Sequence, residues 1–310
     1  MTNLTTPNGT PISRTTFGTM QFGGTADATA SRAMYDTARG AGITHFDTAV
    51  GYTGGAAERL LGEFIRHERS DIYLATKVGY IGGASRANMT AHFDQSRKQL
   101  GHDSVDLLYL HRFDPATDLA ETFETFADFQ QRRLIRHIGV SNFAAWQIMK
   151  AQTVAQSFGT KIDVVQPMYN LVKRQAEVEI FGAAADQDIQ IVPYSPLGGG
   201  LLTGKYARGD TGRLTDDPRY QARYDQTWLH AAAAELANLA RDIRVDPATL
   251  AVGWVAKHAT APSPIISARS TAQLAPSLDA EAFEMSDALY AQITALTPTP
   301  APATDRWEEA

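Results

Sequence analysis

Short apolar runs alternate with longer amphipathic stretches along most of the chain. The runs at 16–20, 44–47, 72–77, 105–111, 135–141, 164–168, 189–194 and 264–268 predict strands. Between them apolar positions recur at helical spacing near 27–41, 56–67, 88–100, 117–132, 143–157, 174–187 and 247–259, and another helix starts near Thr271. Strand followed by helix eight times is the pattern of a parallel sheet, because parallel strands need helical crossovers. The expected fold is an α/β (β/α)8 TIM barrel, a single domain over residues 1–310.

Three segments break the rhythm. Pro7-Asn8-Gly9-Thr10 predicts a β-hairpin within residues 1–14, placed as a lid on the amino-terminal end of the barrel. Residues 198–227 are rich in Gly, Arg and Asp without a clear period, and 228–241 then reads as an extra helix; a loop of that length is usually functional or disordered. The tail beyond Thr297 carries Pro298, Pro300 and Pro302, which predicts either an extended segment over the barrel mouth or a mobile one.

Composition narrows the class. A chain of 310 residues with 44% hydrophobic and 20% charged residues is a folded globule, and its net charge of −6 gives no general attraction to nucleic acid or anionic lipid. The absence of cysteine excludes disulfides, thiolate metal sites and cysteine nucleophiles. The first basic residue is Arg14 and no apolar core precedes it, so neither a signal peptide nor a membrane span is expected and a soluble cytoplasmic protein is the default.

Candidate chemistry gathers where strands end. His45-Phe46-Asp47-Thr48-Ala49-Val50-Gly51-Tyr52 reads as a strand running into a glycine-rich turn, and the next two strands finish at Lys77 and His111. Alone, an aspartate before a turn is a cap, a strand-end lysine a surface group and a single histidine a structural one. Together they place four polar groups at the carboxyl end of three consecutive strands, where a barrel does its chemistry. His45 is expected to turn away from Asp47 and pack. No His/Asp/Glu set has the spacing of a metal site.

In that order and with those neighbours, Asp47, Tyr52, Lys77 and His111 resemble the catalytic tetrad of the aldo-keto reductases. The resemblance implies reduction of a carbonyl by hydride from a nicotinamide cofactor, with Tyr52 as general acid. A phenol of ordinary pKa about 10 is a weak acid at neutral pH, and a neighbouring ammonium lowers that value. Lys77 would do so, Asp47 would hold Lys77 charged and oriented, and neutral His111 could donate to the carbonyl oxygen.

The resemblance extends to the cofactor. No Gly-x-Gly-x-x-Gly follows the first strand, which leaves a Rossmann site unsupported. Instead Gly139-Val140-Ser141-Asn142-Phe143, Gln166-Pro167-Met168-Tyr169-Asn170 and the stretch from Tyr194 to Tyr206 look like the family's nicotinamide and diphosphate contacts. Ser141, Asn142 and Gln166 carry donors and acceptors for a carboxamide, and Tyr194 offers a flat face to the ring. Ser195, Pro196, Leu197 and the glycines beyond, Gly199 among them, lead to Lys205, which can neutralise a diphosphate. Ser267, Arg269 and Gln273 at the eighth strand resemble the adenosine-phosphate segment. Arg269, with Arg213 from the long loop, could pair with a 2′-phosphate, which favours NADPH over NADH. Asp47, with Thr19 and Met20 at the end of the first strand, completes the set. The chain departs from the family at Pro276 and Ser277, where many members carry an acidic residue followed by Asn beside the adenine.

Phe22, Tyr80, Arg112 and Phe113, with Trp228, are the candidates for a substrate pocket that takes a small carbonyl compound. The alternative within the superfamily is a nicotinamide-binding accessory subunit resembling the potassium-channel beta subunits. A barrel enzyme of other chemistry, such as an isomerase or glycosidase, lacks a convincing acidic pair or metal set.

Overall fold

A computed structural model describes residues 4–306 and 308. Eight parallel strands run β1 Thr16–Gly18, β2 His45–Asp47, β3 Tyr73–Val78, β4 Val105–Leu110, β5 Ile135–Ser141, β6 Val164–Gln166, β7 Gln190–Ile191 and β8 Ile265–Ile266. Neighbours in sequence are neighbours in the sheet, and β1 also pairs with β8. The ring closes between β7 and β8, where Ser263 N–H donates to Ile191 O, Ile265 N–H to Pro193 O, and Tyr194 bridges to Ile265. This is the expected (β/α)8 architecture.

Alternation along each strand sorts its side chains. Tyr73, Ala75, Leu107, Tyr109, Val164, Val192 and Ile265 fill the barrel interior, whereas Phe46, Leu74, Leu108, Ile138 and Val140 face the helical layer. Helices start where polar caps dictate. Asp27 accepts from Ala30 N–H, Ser85 from Asn88, Asp118 from Ala120, and Asp246 from Ala248 with Pro247 behind it.

The amino-terminal lid is present as a Thr5–Pro11 bridge, and Leu4 inserts into the interior cluster. Residues 1–3 of that lid, and 307, 309 and 310 of the tail, lie outside the described residues. From 298 to 302 the tail has neither helix nor strand.

Several elements differ from expectation. The sixth barrel helix begins only at Ile180; before it come a turn in which Asn170 Oδ1 accepts from Val172 N–H and Asn170 bridges to Lys173, and a short 3-10 helix, Gln175–Glu177. An unforeseen helix, Asp287–Thr294, is capped by Ser286. The long loop holds two short helices, Arg213–Asp216 and Pro218–Arg223, before the expected extra helix, Thr227–Asp242. No helix among the described residues is long and apolar enough to cross a membrane.

Candidate active site

Three adjacent strands carry the nominated polar groups to the carboxyl end of the barrel. Asp47 ends β2, Lys77 stands next to last in β3, and His111 follows β4 with its amide bonded to Val78 O at 2.8 Å. Tyr52 opens a tight turn in which Thr53, Gly54 and Gly55 all have positive φ, at 48°, 63° and 84°. Two glycines make that reversal sterically open. Thr53 is held in it by its hydroxyl, which donates to Phe22 O at 2.7 Å and accepts from Ala57 N–H at 3.0 Å. The turn brings the Tyr52 ring centroid 5.1 Å from the Lys77 ammonium and 5.9 Å from the His111 ring.

Lys77 is fully buried. Its Nζ donates to Asp47 Oδ1 and, at 2.7 Å, to Thr48 O. Gln166 Nε2 donates to the other oxygen, Asp47 Oδ2, at 3.0 Å. Burial pulls the lysine down, but the fields of Asp47 and Tyr52 outweigh it and the ammonium is held above its ordinary value. Burial pushes Asp47 upward against Lys77 and Gln166. A charged lysine within a carboxylate, a carbonyl and two aromatic faces, Tyr52 and Tyr109, is the electrostatic centre of the site.

Two expectations need correction. Lys77 acts on Tyr52 in the expected sense, yet burial is the larger influence and the phenol pKa lies above its ordinary value. The Tyr52 proton is therefore retained across physiological pH and given up only to a stronger base such as an alkoxide. His45 does not turn away from Asp47. Residues two apart share a face, so His45 points into the barrel, edge-on to Tyr73 at 4.9 Å, with Nδ1 against Thr16 Oγ1.

Burial and the Lys77 ammonium pull both His45 and His111 down to about 3, with Arg112 adding to the effect at His111. Both are neutral at working pH, and His111 can donate from one ring nitrogen. Unfolded histidines titrate near 6.5, so between about pH 6.5 and about pH 3 the unfolded chain binds protons that the folded chain refuses. Stability is expected to fall on acidification, by about 2 kcal/mol per histidine from pH 6.5 to 5. Urea unfolding of the parent and of His45→Gln tests this, and parallel pH slopes would clear His45.

The nominated cofactor residues line the other side of the mouth. Ser141 Oγ donates to Gln166 O at 3.0 Å. Asn142, at φ 58°, donates from Nδ2 to His111 O at 2.9 Å and accepts from Tyr194 OH at 2.7 Å. That bond fixes the half-buried Tyr194 ring as a plate. Ser195 is left-handed at φ 61°, and Pro196 and Leu197 lead into Gly198, Gly199 and Gly200, all at positive φ. A Cβ on Gly199 would stand 2.9 Å from the Tyr220 ring, so only glycine lets the short helix Pro218–Arg223 settle there.

Lys205, Arg213 and Arg269 come together. Burial and then the Arg269 charge push Lys205 down, against the fields of Asp210 and Asp216, and Arg213 adds to the push. None of the three forms a salt bridge among the described residues; Lys205 donates to Thr211 O and Arg213 to Tyr220 OH. Ser267 Oγ is buried without a partner, and Gln273 Oε1 accepts from Arg269 N–H at the start of helix Thr271–Leu278. Clustered cations, an orphaned hydroxyl and a helix amino terminus fit a phosphate-bearing ligand.

At the substrate side, Tyr80 is half exposed, 4.9 Å from the His111 ring and under the Arg112 guanidinium. Phe113 packs edge-on to Phe143 and Trp146. Phe22 is not at the mouth: it is buried against Phe17 and Phe64 beneath the helical layer. Thr19 is likewise fully buried, and its hydroxyl donates to Asp47 O, bracing β2. Met20 is half-buried, and exposed Trp228 donates to Gln226. Sequence reasoning missed Trp146, 62% exposed and four residues past Asn142, as well as Tyr220, whose field reaches Tyr52.

A model of the Aldo/keto reductase family matches residues 14–298. Similar proteins include the uncharacterized oxidoreductase YrpG of Bacillus subtilis, 30% identical over 94% of either chain. The aldo-keto reductase YhdN of the same organism is 32% identical over 86% of this chain and 84% of its own. A probable voltage-gated potassium channel subunit beta of Oryza sativa subsp. japonica is 29% identical over 88% of each.

Proposed function

Because this chain belongs to the aldo/keto reductase family, we propose that it reduces aldehydes or ketones to alcohols with NADPH, Tyr52 giving the proton. The observation that carries this reading is the convergence of Tyr52 on Lys77 and His111 at the carboxyl end of the barrel.

The dinucleotide, when bound, supplies the hydride. Ser141 and Gln166 would hold its carboxamide. Gln166 gives its amide nitrogen to Asp47, which leaves its oxygen as the acceptor. Tyr194 would face the nicotinamide ring, and Lys205, Arg213, Ser267 and Arg269 would take the phosphates. The substrate oxygen would accept hydrogen bonds from Tyr52 O–H and from neutral His111. As negative charge gathers on that oxygen, the Tyr52 proton passes to it, and the phenolate left behind is stabilised by Lys77. Asp47 and Thr48 O hold the ammonium in place throughout.

Oxidation of NADPH and NADH in the presence of aliphatic, aromatic, dicarbonyl and sugar aldehydes tests the reading. The likeness to plant channel subunits over most of the chain motivates a second one, dinucleotide binding with little turnover. Tight NADPH binding without oxidation by any of these carbonyls would favour it.

The NADPH preference is assigned to Arg269. Loss of a charge-assisted contact to a 2′-phosphate is expected to raise the NADPH dissociation constant about tenfold or more in Arg269→Ala, with a much smaller change for NADH. Fluorescence titration with both cofactors measures this. Equal weakening would show that Arg269 does not read the 2′-phosphate.

A further inference from the structure

One cation at the mouth has no part in the chemistry above beyond its pull on His111. Arg112 follows His111 directly, is exposed, and forms no salt bridge among the described residues. Its guanidinium lies 5.0 Å from the Tyr80 ring centroid, and the Tyr80 ring lies 4.9 Å from that of His111. Stacking on Tyr80 orders the flat guanidinium and leaves its edge donors available. The acid nearest in sequence, Asp114, lies within the Arg112 field but forms no salt bridge with it; its oxygens accept from Thr117 Oγ1 at 2.6 Å, Ala116 N–H at 3.0 Å and Ala84 N–H at 2.8 Å.

The surroundings are aromatic and locally positive. Tyr80 forms one wall beside His111, and Phe113 leads to the exposed indole of Trp146, 5.9 Å from its own ring. Arg219, on the short helix Pro218–Arg223, interacts with Tyr80 as well, although Asp217 neutralises it at 2.8 Å. A chain of net charge −6 thus keeps at the rim of its reactive cleft an arginine that forms no salt bridge among the described residues. Ordinary surface solvation accounts for its exposure but not for its place against a ring that packs on His111. A packing role accounts for the stack but not for guanidinium edge donors left without a direct carboxylate contact. A carboxylate brought by the substrate accounts for both.

Resting on the reductase reading, we propose that Arg112 is a specificity-determining residue that binds a carboxylate of the substrate, and that the favoured substrates are aldehydes or ketones bearing a carboxylate beyond an aromatic spacer. The carbonyl lies against Tyr52 and His111, the spacer lies along Tyr80, and the carboxylate takes the guanidinium edge in a two-point contact. The charge adds to recognition and to encounter with the substrate, so the advantage declines with added salt.

The test uses the whole chain with NADPH and two probes of similar shape, 4-carboxybenzaldehyde and 4-methylbenzaldehyde. The parent is expected to favour the carboxylated aldehyde, and Arg112→Gln to lower the ratio of the two kcat/KM values about tenfold or more, mainly through KM, with partial recovery in Arg112→Lys. As a readout independent of turnover, 4-(hydroxymethyl)benzoate is expected to quench tryptophan fluorescence of the parent at lower concentration than in Arg112→Gln. Reduction of both aldehydes with an unchanged ratio in Arg112→Gln would overturn this inference alone. Reduction of neither would overturn the reductase reading and this inference with it.

Discussion

Tyr52→Phe is expected to lower kcat/KM for carbonyl reduction by about 10²- to 10⁴-fold, the range that a positioned general acid contributes. The substitution removes one hydroxyl and keeps the ring that lies 5.1 Å from the Lys77 ammonium and 5.9 Å from His111. The turn through Thr53, Gly54 and Gly55 is fixed by backbone geometry and by the Thr53 hydroxyl, so the variant should keep its melting temperature and its affinity for NADPH. Because burial holds the parent phenol above its ordinary value, reduction by the parent should not decline through deprotonation of Tyr52 below about pH 10. Initial rates across pH, with cofactor titrations on both proteins, measure all three quantities. Undiminished turnover in Tyr52→Phe would remove the phenol from the chemistry.

Lys77→Met should damage both stability and turnover. It leaves Asp47 buried without its cation, and breaking a buried pair from one side costs about 3–5 kcal/mol. Asp47 can relieve part of this by taking up a proton, since burial already pushes its pKa upward. An acid whose folded pKa is raised binds more protons folded than unfolded, so the variant should lose more stability as pH rises above the ordinary carboxylate range. Asp47→Asn combined with Lys77→Met removes both charges and should regain much of the lost stability while remaining inactive. Denaturant melts of the single and double variants decide the matter. A single variant as stable as the parent at pH 8 would show that the pair does not hold the barrel end together.

The fold was legible because its repeat is long and regular. Pattern alone places β2 to β5 and most barrel helices, and it overruns β1 and β6 at their ends. The two-residue strands β7 and β8 were overextended, since pairing there stops long before the apolar run does. The order of Asp47, Tyr52, Lys77 and His111 was readable for a local reason: each stands where a strand gives way to a loop. What depends on three dimensions was not readable. The acidity of Tyr52 turns on how far burial exceeds the pull of Lys77, and sequence carries no measure of depth. Phe22 looked like a rim aromatic and is enclosed by Phe17 of β1 and by Phe64, a partner distant in sequence. His45 was misplaced by a plain error of strand parity. The gathering of Lys205 with Arg213 and Arg269 depends on how the long loop folds back over its glycines, which has no periodic signal.

The bond from Gln166 to Asp47 spans the barrel interior from β6 to β2. On one flank stand the groups proposed to move a proton, all from β2 to β4 and the turns after them; on the other stand those proposed to choose the dinucleotide, from β5 onward. Such a division makes the two arcs separately adjustable: residues such as Arg269 can drift to suit another coenzyme while the acid arc stays as it is. The side-chain amides of Gln166 on Asp47 and of Asn142 on His111 O stitch them together, and are where a change in either arc is felt by the other.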